Sequence, residues 1–285
     1  MPEVIRRPPP EELRAEIDQS KAIGALLYDY DRASALGTDV MLANVLSPEE
    51  LGIADYLTFV EADDHGKPMQ SWLAWFFSAD DPPTALCRVR VPMAPWATAD
   101  FSLLDPPEGV PESLRRWVRA RRTALAAIQP IVQLQNPVLL PGEAIGKSGI
   151  LVYLIAGTTK PDLAVFGKHH RVLVSPDGNT VVSVEPLSNS ILEIPLTEQG
   201  DQAGMWVTHT VTEWPLETHV FVSLLHGMPV HVVTSRGVWE VAGTEISLLA
   251  EVESSPRPSD VPGSTSAPPP TPVEPPPPKP WWRFW

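Results

Sequence analysis

The chain has 285 residues, of which 43% are hydrophobic and 20% are charged, a balance typical of a globular protein with a substantial core. Its net charge of -14 argues against nucleic-acid binding, which requires clustered lysine and arginine to displace counterions from phosphates. The single cysteine, Cys87, excludes an internal disulfide and suits a reducing compartment.

Targeting signals are not evident in the sequence. Residues 1–7 run into prolines without the apolar region of a secretory signal, and no stretch reaches the roughly 18 apolar residues of a membrane span. We therefore expect a cytoplasmic location, with peripheral membrane attachment through the C-terminal sequence as an alternative.

Composition divides the chain into three parts. Residues 1–10 end in three prolines and are expected to form a disordered arm. Residues 11–251 carry periodic patterns and form the body, with a sub-boundary near 130–148 if the body holds two domains. Residues 252–285 are rich in proline and are expected to form a disordered tail.

The first half of the body is predicted to begin with two helices. Apolar residues at helical spacing predict a helix over 11–36, and Gly37 is expected to end it. Ser47, followed by Pro48 and Glu50, predicts a second helix that starts with a capping box.

Strands and a third helix follow. Aromatic and β-branched residues predict strands over 56–61, 72–78 and 86–91, the last with Cys87 facing inward. Residues 92–111 are expected to form an irregular, proline-rich connection, and residues 112–128 a helix.

The second half of the body is predicted to be mainly β structure, an antiparallel meander. Its predicted strands cover 150–156, 169–175, 180–185, 205–211, 219–225, 229–234 and 238–241. Asp177-Gly178 supplies the tight turn of a central hairpin. The sequence therefore predicts an α+β fold in which helices cover a largely antiparallel sheet, followed by the disordered proline-rich tail.

Six of the seven histidines lie in this β-rich half. His169 and His170 are the first catalytic candidates, but a strand over 169–175 would point them to opposite faces, so at most one enters a given site. No helical His-x-x-x-His and no cysteine pair accompanies them. Half-buried strand histidines with ordinary hydrogen-bond partners are the competing interpretation, and no metal site is expected.

No cofactor is expected either. Residues 141–148 resemble a phosphate-binding loop, but only three residues separate Gly142 from Gly146, and a strand follows where the loop requires a helix. Ser223 lacks the glycine pattern of a nucleophile elbow.

Basic residues cluster on the helix over 112–128. Arg115, Arg119 and Arg122 fall on one face, which could contact an anion or an acidic partner. Intramolecular ion pairs with some of the 35 acidic residues are the alternative.

The C-terminal peptide differs from the rest of the chain. Four of its five residues are aromatic, and a proline-rich spacer separates it from the body. Such a cluster is typical of a contact with a hydrophobic groove on a protein or with a lipid headgroup interface. The predicted binding residues are Trp281, Trp282, Arg283, Phe284 and Trp285.

Residues 112–250 resemble stretches of uncharacterised bacterial proteins. The similarity lies in Val152-Tyr153-Leu154-Ile155-Ala156, in Phe166-Gly167-Lys168-His169-His170-Arg171-Val172, in the Asp177-Gly178 turn, and in Glu217-Thr218-His219-Val220-Phe221 with Val238-Trp239-Glu240-Val241. The resemblance implies no activity.

The sequence favours a non-enzymatic bacterial interaction or accessory protein that engages a partner through residues 281–285. A hydrolase or metal-dependent enzyme that uses strand histidines is the first alternative. Peripheral membrane attachment through the aromatic tail is the second. The oligomeric state is left open.

Overall fold

The computed structural model describes residues 5–63, 65, 67–93, 98–131, 134–158, 160, 162–196 and 204–251. Residues 1–4 of the N-terminal arm and the tail over 252–285, with its aromatic peptide, lie outside the described part. The helices are α1 (Arg14–Asn44), α2 (Pro48–Leu51), α3 (Glu112–Ala127) and α4 (Glu217–His226), with short 3-10 helices at Glu11–Leu13 and Gly142–Ile145.

Twelve of the strands form three four-stranded sheets. The N-terminal sheet has the order β1 (Asp55–Ala62), β2 (Pro68–Phe77), β3 (Thr84–Pro92), β4 (Asp100–Gly109). The central sheet has the order β5 (Gln135–Pro141), β6 (Ile150–Ala156), β8 (His170–Val174), β9 (Val181–Pro186). The C-terminal sheet has the order β11 (Met205–Thr208), β12 (Val230–Val233), β13 (Gly237–Ala242), β14 (Glu245–Glu251).

Two further strands, β7 (Leu163–Gly167) and β10 (Ile191–Pro195), pair as an antiparallel ribbon. Among the described strands, every pair is antiparallel except β11 with β12, which run parallel and are connected through α4. The predicted α+β class with largely antiparallel β structure is therefore confirmed, although the strands divide into several sheets. The predicted antiparallel meander is wrong at β11. α4 carries the chain back along the sheet, so β12 starts at the same end as β11 and runs parallel to it.

Helices cover both sides of the central β structure. Val118 and Ala124 of α3 pack with Phe77 of the N-terminal sheet and Val152 of the central sheet. A larger cluster joins α1 and α4 to all three four-stranded sheets. It contains both Phe76, which precedes residues 130–148 in the sequence, and Tyr153, which follows them. Residues before and after that stretch thus share a core.

Two glycines let α1 approach its neighbours closely. A Cβ at Gly24 would lie 2.5 Å from Val220 Cβ on α4, and one at Gly37 would lie 2.7 Å from Ala74 Cβ on β2. Both distances are shorter than carbon atoms tolerate, so only glycine permits this packing. The prediction that Gly37 ends the helix is therefore wrong: the residue is buried in a contact, and α1 continues to Asn44.

The proline-rich connection contains a strand that the sequence analysis missed. Within residues 92–111, β4 pairs with β3 at the edge of the N-terminal sheet. Pro106 and Pro107 lie within β4, and an edge position tolerates proline because one side of the strand needs no ladder donor.

The strand predicted over 219–225 is a helix. α4 packs against α1 and the C-terminal sheet, and its first seven residues, polar and apolar alike, are buried. Polar residues therefore do not mark an exposed face, and the helical period is hidden. Gly227 ends it in the left-handed conformation, with φ of 62°. The strands β5, β7, β10 and β14 were also not predicted.

Several local predictions are confirmed. The Ser47 hydroxyl caps α2 by accepting from the Glu50 amide, α3 spans the predicted residues, and Cys87 is buried on β3. The hairpin of β8 and β9 turns through Gly178, whose φ is 82°. Within the described residues, no helix is long and apolar enough to cross a membrane.

Candidate functional site

A cleft of about 450 Å³ lies between the β7–β10 ribbon, the edge strand β11 and the start of α4. Three histidines line it, from three different parts of the chain: His169 precedes β8, His209 follows β11, and His219 lies in the first turn of α4. We call this the histidine cleft. None of the described residues that line it is an aspartate or glutamate.

His169 reaches the cleft because the chain turns sharply between β7 and β8. Gly167 has φ of 100°, and its missing Cβ would lie 1.8 Å from the Ser190 carbonyl oxygen, so this turn requires glycine. Lys168 follows in the left-handed region, with φ of 58°. His169 thus lies before β8, and the prediction that it shares a strand with His170 is wrong.

A backbone hydrogen bond fixes the tautomer of His169. The Ala156 amide donates to Nδ1 at 2.9 Å, and Nδ1 must therefore carry a lone pair. Burial lowers the pKa of the ring to about 4, so the neutral ring holds its proton on Nε2. That Nε2–H is buried and has no hydrogen-bond partner among the described residues.

His219, on α4, also accepts a backbone hydrogen bond at Nδ1. The Leu216 amide donates to its Nδ1 at 3.0 Å, as a side-chain cap of α4. Burial, followed by the nearby rings of His209 and His169, lowers its pKa well below the ordinary value. Nε2 of His219 consequently carries a proton, and no described residue accepts a hydrogen bond from it.

His209 completes the group. Its ring contacts that of His219 edge-on at 4.8 Å between centroids. Nε2 is 2.8 Å from the Thr212 hydroxyl oxygen, and burial lowers the pKa of the ring to about 4. All three histidines are therefore neutral near pH 7, and two of them present Nε2–H donors.

The rim of the cleft is apolar. Trp206 on β11 is 59% exposed and stacks on His231, with centroids 4.4 Å apart and planes 10° from parallel. Ile191 and Leu192 of β10 are exposed across the cleft from it. The site thus combines polar donors with a hydrophobic border.

A partly buried ionic network joins α4 to the central sheet. Tyr153 donates to Glu217 at 2.7 Å, while Arg171 contacts Glu217 and donates to Glu185 at 3.0 Å. Burial lowers the pKa of the Arg171 guanidinium, but Glu217, Tyr153 and Glu185 together outweigh it, so the pKa is raised. Arg171, the last residue of the Lys168-His169-His170-Arg171 cluster, therefore acts in positioning α4.

His170 does not reach the cleft. It begins β8, pairs in register with Leu154 and Pro186, and is half-buried. Burial lowers the pKa of its ring. The two catalytic candidates thus occupy different environments, and only His169 lines the cleft.

The arginines of α3 engage acceptors within the chain. Arg115 donates to the Val110 carbonyl at 2.7 Å, Arg119 donates to Glu112 at 3.0 Å, and Arg122 donates to Asp55 at 2.9 Å. Arg121, a buried neighbour that the sequence analysis did not single out, also pairs with Asp55. These contacts favour the intramolecular alternative, and partner binding by this face stays a prediction.

Two potential nucleophiles are held inside the core. Ser223 on α4 donates to main-chain oxygens and accepts from the Gly243 amide at 2.9 Å. Burial raises the pKa of the Cys87 thiol to about 12, so the residue remains an unreactive thiol. Neither lines the histidine cleft.

A second concave site, of about 240 Å³, borders α4 and is lined by Asp31, Asn136, Lys160 and His226 among others. Burial raises the pKa of Asp31 to about 6, although its hydrogen bond with Asn136 and the charge of Arg32 act against this. No sequence pattern predicts this site, because Asp31 lies on the buried face of α1, whose residues show only the pattern of an amphipathic helix.

Within the described part of the chain, no group of three or more His, Cys, Asp or Glu residues is placed to hold a metal ion. The protonated Nε2 atoms of His169 and His219 agree with this, since a metal ligand needs a free lone pair.

Comparison with protein-family models, curated proteins and solved structures finds no match.

Proposed function

We propose that this chain is a non-enzymatic interaction protein that engages a partner through its C-terminal peptide, residues 281–285. The observation that supports binding over catalysis is the shared tautomer of His169 and His219. A ring whose Nδ1 accepts from a backbone amide, and whose Nε2 carries the proton, can donate a hydrogen bond but offers no lone pair to a substrate proton or a metal.

The surroundings of the cleft support the same proposal. Catalysis by nucleophile and base needs two groups within hydrogen-bond reach of each other. Ser223 and Cys87 lie in the core, away from the cleft, and the carboxylate of Glu217 is paired with Arg171. Among the described residues, His209 Nε2 and the Thr212 hydroxyl do lie 2.8 Å apart. That hydroxyl donates to the Trp214 carbonyl at 2.6 Å, and His209 Nε2 accepts from the Thr212 amide at 3.2 Å, so both groups are engaged with the main chain.

The peptide itself supplies the recognition element of the proposal. Its four aromatic side chains each offer roughly 150 to 250 Å² of burial. The preceding residues, 252–280, contain prolines throughout, and no core can form from such a sequence. The proposal therefore assigns recognition to residues 281–285 and treats residues 252–280 as a spacer.

The experiment is affinity capture from the native host with the intact chain and with a chain that lacks residues 281–285. A matched control lacks residues 268–272, Pro-Pro-Pro-Thr-Pro, which removes the same number of residues and keeps the peptide. We expect specific partners to be lost in the first variant and retained in the control. Capture of the same partners by all three chains would contradict the proposal.

Peripheral membrane attachment remains the alternative reading of the same peptide, because tryptophan and arginine also suit a lipid interface. Flotation with vesicles of zwitterionic and anionic lipid separates the two. If the intact chain floats, the deletion does not, and no protein partner is captured, membrane attachment replaces the protein partner.

A further inference from the structure

We propose that the cavity beside Asp31 binds a small α-amino acid with an apolar side chain, whose ammonium group pairs with the Asp31 carboxylate and whose carboxylate faces Lys160. We call this the Asp31 cavity. It is separate from the histidine cleft, since the two share none of their described lining residues. The inference goes beyond the proposed function and does not depend on residues 281–285.

Three parts of the chain enclose the cavity. Asp31 lies on α1 and is 7% exposed, Lys160 lies in the connection between β6 and β7, and His226 is the last residue of α4. The volume of about 240 Å³ is below the roughly 300 to 1,000 Å³ of pockets that take drug-sized ligands. A ligand of this cavity is therefore small.

The Asp31 carboxylate is buried without an ion-pair partner. None of the ion pairs formed by the described residues includes it. Burial raises the pKa of Asp31 to about 6 and outweighs both the hydrogen bond with Asn136 and the charge of Arg32. The side chain is thus ionised near pH 7. Because buried charges in proteins are normally paired, a cationic group of a ligand would supply the partner that the described residues do not.

One acid and one base give the cavity its polarity. Among its described lining residues, Asp31 is the one anion near pH 7 and Lys160 the one cation. His226 adds no charge, because burial lowers the pKa of its ring. Lys160 is exposed whereas Asp31 is buried, so the negative charge lies deeper than the positive one. A ligand that carries an ammonium group and a carboxylate matches both, while a plain amine meets Lys160 without compensation.

The rest of the wall is mainly apolar. Its apolar side chains come from the strands beside the cavity and from α4, and they include Leu163, Val165, Phe221 and Leu225. Such a wall stabilises an aliphatic or small aromatic side chain by removing it from water. The combination of a buried acid, an exposed base and an apolar wall is complementary to an α-amino acid of the valine, leucine or phenylalanine type.

Isothermal titration calorimetry of the full chain near pH 7 tests the proposal. The probes are L-valine, L-leucine, L-isoleucine, L-methionine and L-phenylalanine, each titrated to about 10 mM. We expect at least one of them to bind saturably with a Kd below about 1 mM. Absence of binding by all five overturns the proposal.

Two relatives of each bound probe separate its two charges. For leucine, these are N-acetyl-L-leucine, which lacks the ammonium group, and isoamylamine, which lacks the carboxylate. We expect the first to bind at least about tenfold more weakly and the second at least about threefold more weakly. An acetylated compound that binds as tightly as the amino acid contradicts the pairing with Asp31. An equally tight amine contradicts the role of Lys160 and with it the amino-acid class.

Variants of the chain locate the site. Asp31→Asn should weaken binding at least about tenfold and Lys160→Ala at least about threefold. Asp18→Asn and Lys67→Ala are the matched controls, since both change exposed charges outside the cavity and should leave the affinity unchanged.

Asp31→Asn also distinguishes lost binding from a damaged fold. Because the substitution removes a buried charge, the free energy of unfolding without amino acid should rise near pH 7 while the affinity falls. Damage to the fold would lower both. Equal affinities of Asp31→Asn and Asp18→Asn, or of Lys160→Ala and Lys67→Ala, would overturn the proposal.

Discussion

The main-chain amide of Ala156 donates a 2.9 Å hydrogen bond to Nδ1 of His169. This contact joins the last residue of β6 to the turn before β8, and it decides which chemistry the ring can perform. With the ring neutral, the proton is on Nε2, so the imidazole is a donor. The amide of Leu216 imposes the same state on His219.

Acid should destabilise the protein through these histidines. Burial lowers the pKa of His169 and of His209 from 6.5 to about 4, so the folded state binds fewer protons than the unfolded state between these values. Their contribution is fully present above about pH 6.5 and is lost as the pH falls toward 4. We expect a loss of at most about 3 kcal/mol per histidine.

Urea unfolding at a series of pH values measures this dependence. His169→Gln should reduce the slope between pH 6.5 and 4, while His65→Gln should leave it unchanged, because His65 is exposed in the β1–β2 connection. An identical slope in His169→Gln and the intact chain would contradict the assignment of the buried neutral ring.

The ionisation of Asp31 should make the protein less stable as the pH rises, which is the opposite of the effect of the histidines. Burial raises the pKa of this carboxyl from 3.8 to about 6, so its contribution to stability is fully present below about pH 3.8 and is lost as the pH rises through about 6. Asp31→Asn should therefore raise the free energy of unfolding near pH 7 by up to about 3 kcal/mol, with little change near pH 3.5.

Chemical denaturation at both pH values is the measurement for Asp31→Asn. Asp18→Asn serves as the control, since Asp18 lies on the exposed face of the same helix. A stabilisation that is equal at the two pH values, or equal in the two variants, would show that the ionisation of Asp31 is not its source.

Gly24→Ala should loosen the contact between α1 and α4. The new Cβ would meet Val220 Cβ at 2.5 Å, and we expect a loss of about 1 to 3 kcal/mol despite the better helix propensity of alanine. Because α4 carries His219, the shift should also disturb the cleft. Adding Val220→Gly removes both Val220 atoms that the methyl group would meet, Cβ at 2.5 Å and Cγ1 at 2.6 Å. The double variant should therefore lose less than the sum of the two single losses.

A double-mutant cycle on thermal or urea unfolding tests this contact. The coupling between the two positions should be favourable by about 1 kcal/mol or more. Strictly additive losses would mean that α1 and α4 do not meet at these residues.

Arg121→Ala should be costly because it leaves Asp55 with a single remaining arginine. Both side chains of the Arg121–Asp55 pair are buried, and removal of one partner of a buried pair costs about 3 to 5 kcal/mol. Arg119→Ala on the same helix removes a pair with the exposed side chain of Glu112 and should cost at most about 1 kcal/mol. Similar losses in the two variants would contradict a buried role for Arg121.

The parts of the fold that sequence could predict are those with a regular local pattern. α3 shows a clear helical period, and the β8–β9 hairpin has its Asp177-Gly178 turn. α4 could not be predicted because burial on all sides removes its period. β4 was hidden by its prolines, which an edge strand accepts.

The candidate site depends on contacts between distant residues. His169, His209 and His219 come from separate parts of the chain. No residue spacing in the sequence predicts that the β7–β10 ribbon, β11 and α4 lie next to each other. The backbone amides of Ala156 and Leu216 determine the tautomers of His169 and His219. Every residue type except proline has such an amide, so the sequence does not indicate these contacts. Arg121 and Asp55, 66 residues apart, were missed for the same reason. The neighbouring Lys168-His169-His170-Arg171 was noticed, but its four members have separate environments.

The most direct test of the account is the tautomeric state of the cleft histidines. Long-range proton–nitrogen NMR spectra of the full chain, labelled with ¹⁵N-histidine and assigned with His169→Gln and His219→Gln, report which nitrogen carries the proton. We predict that both rings remain neutral with the proton on Nε2 between about pH 5.5 and 8. A proton on Nδ1 of either ring, or a charged ring near pH 6, would contradict the donor role on which the binding function rests.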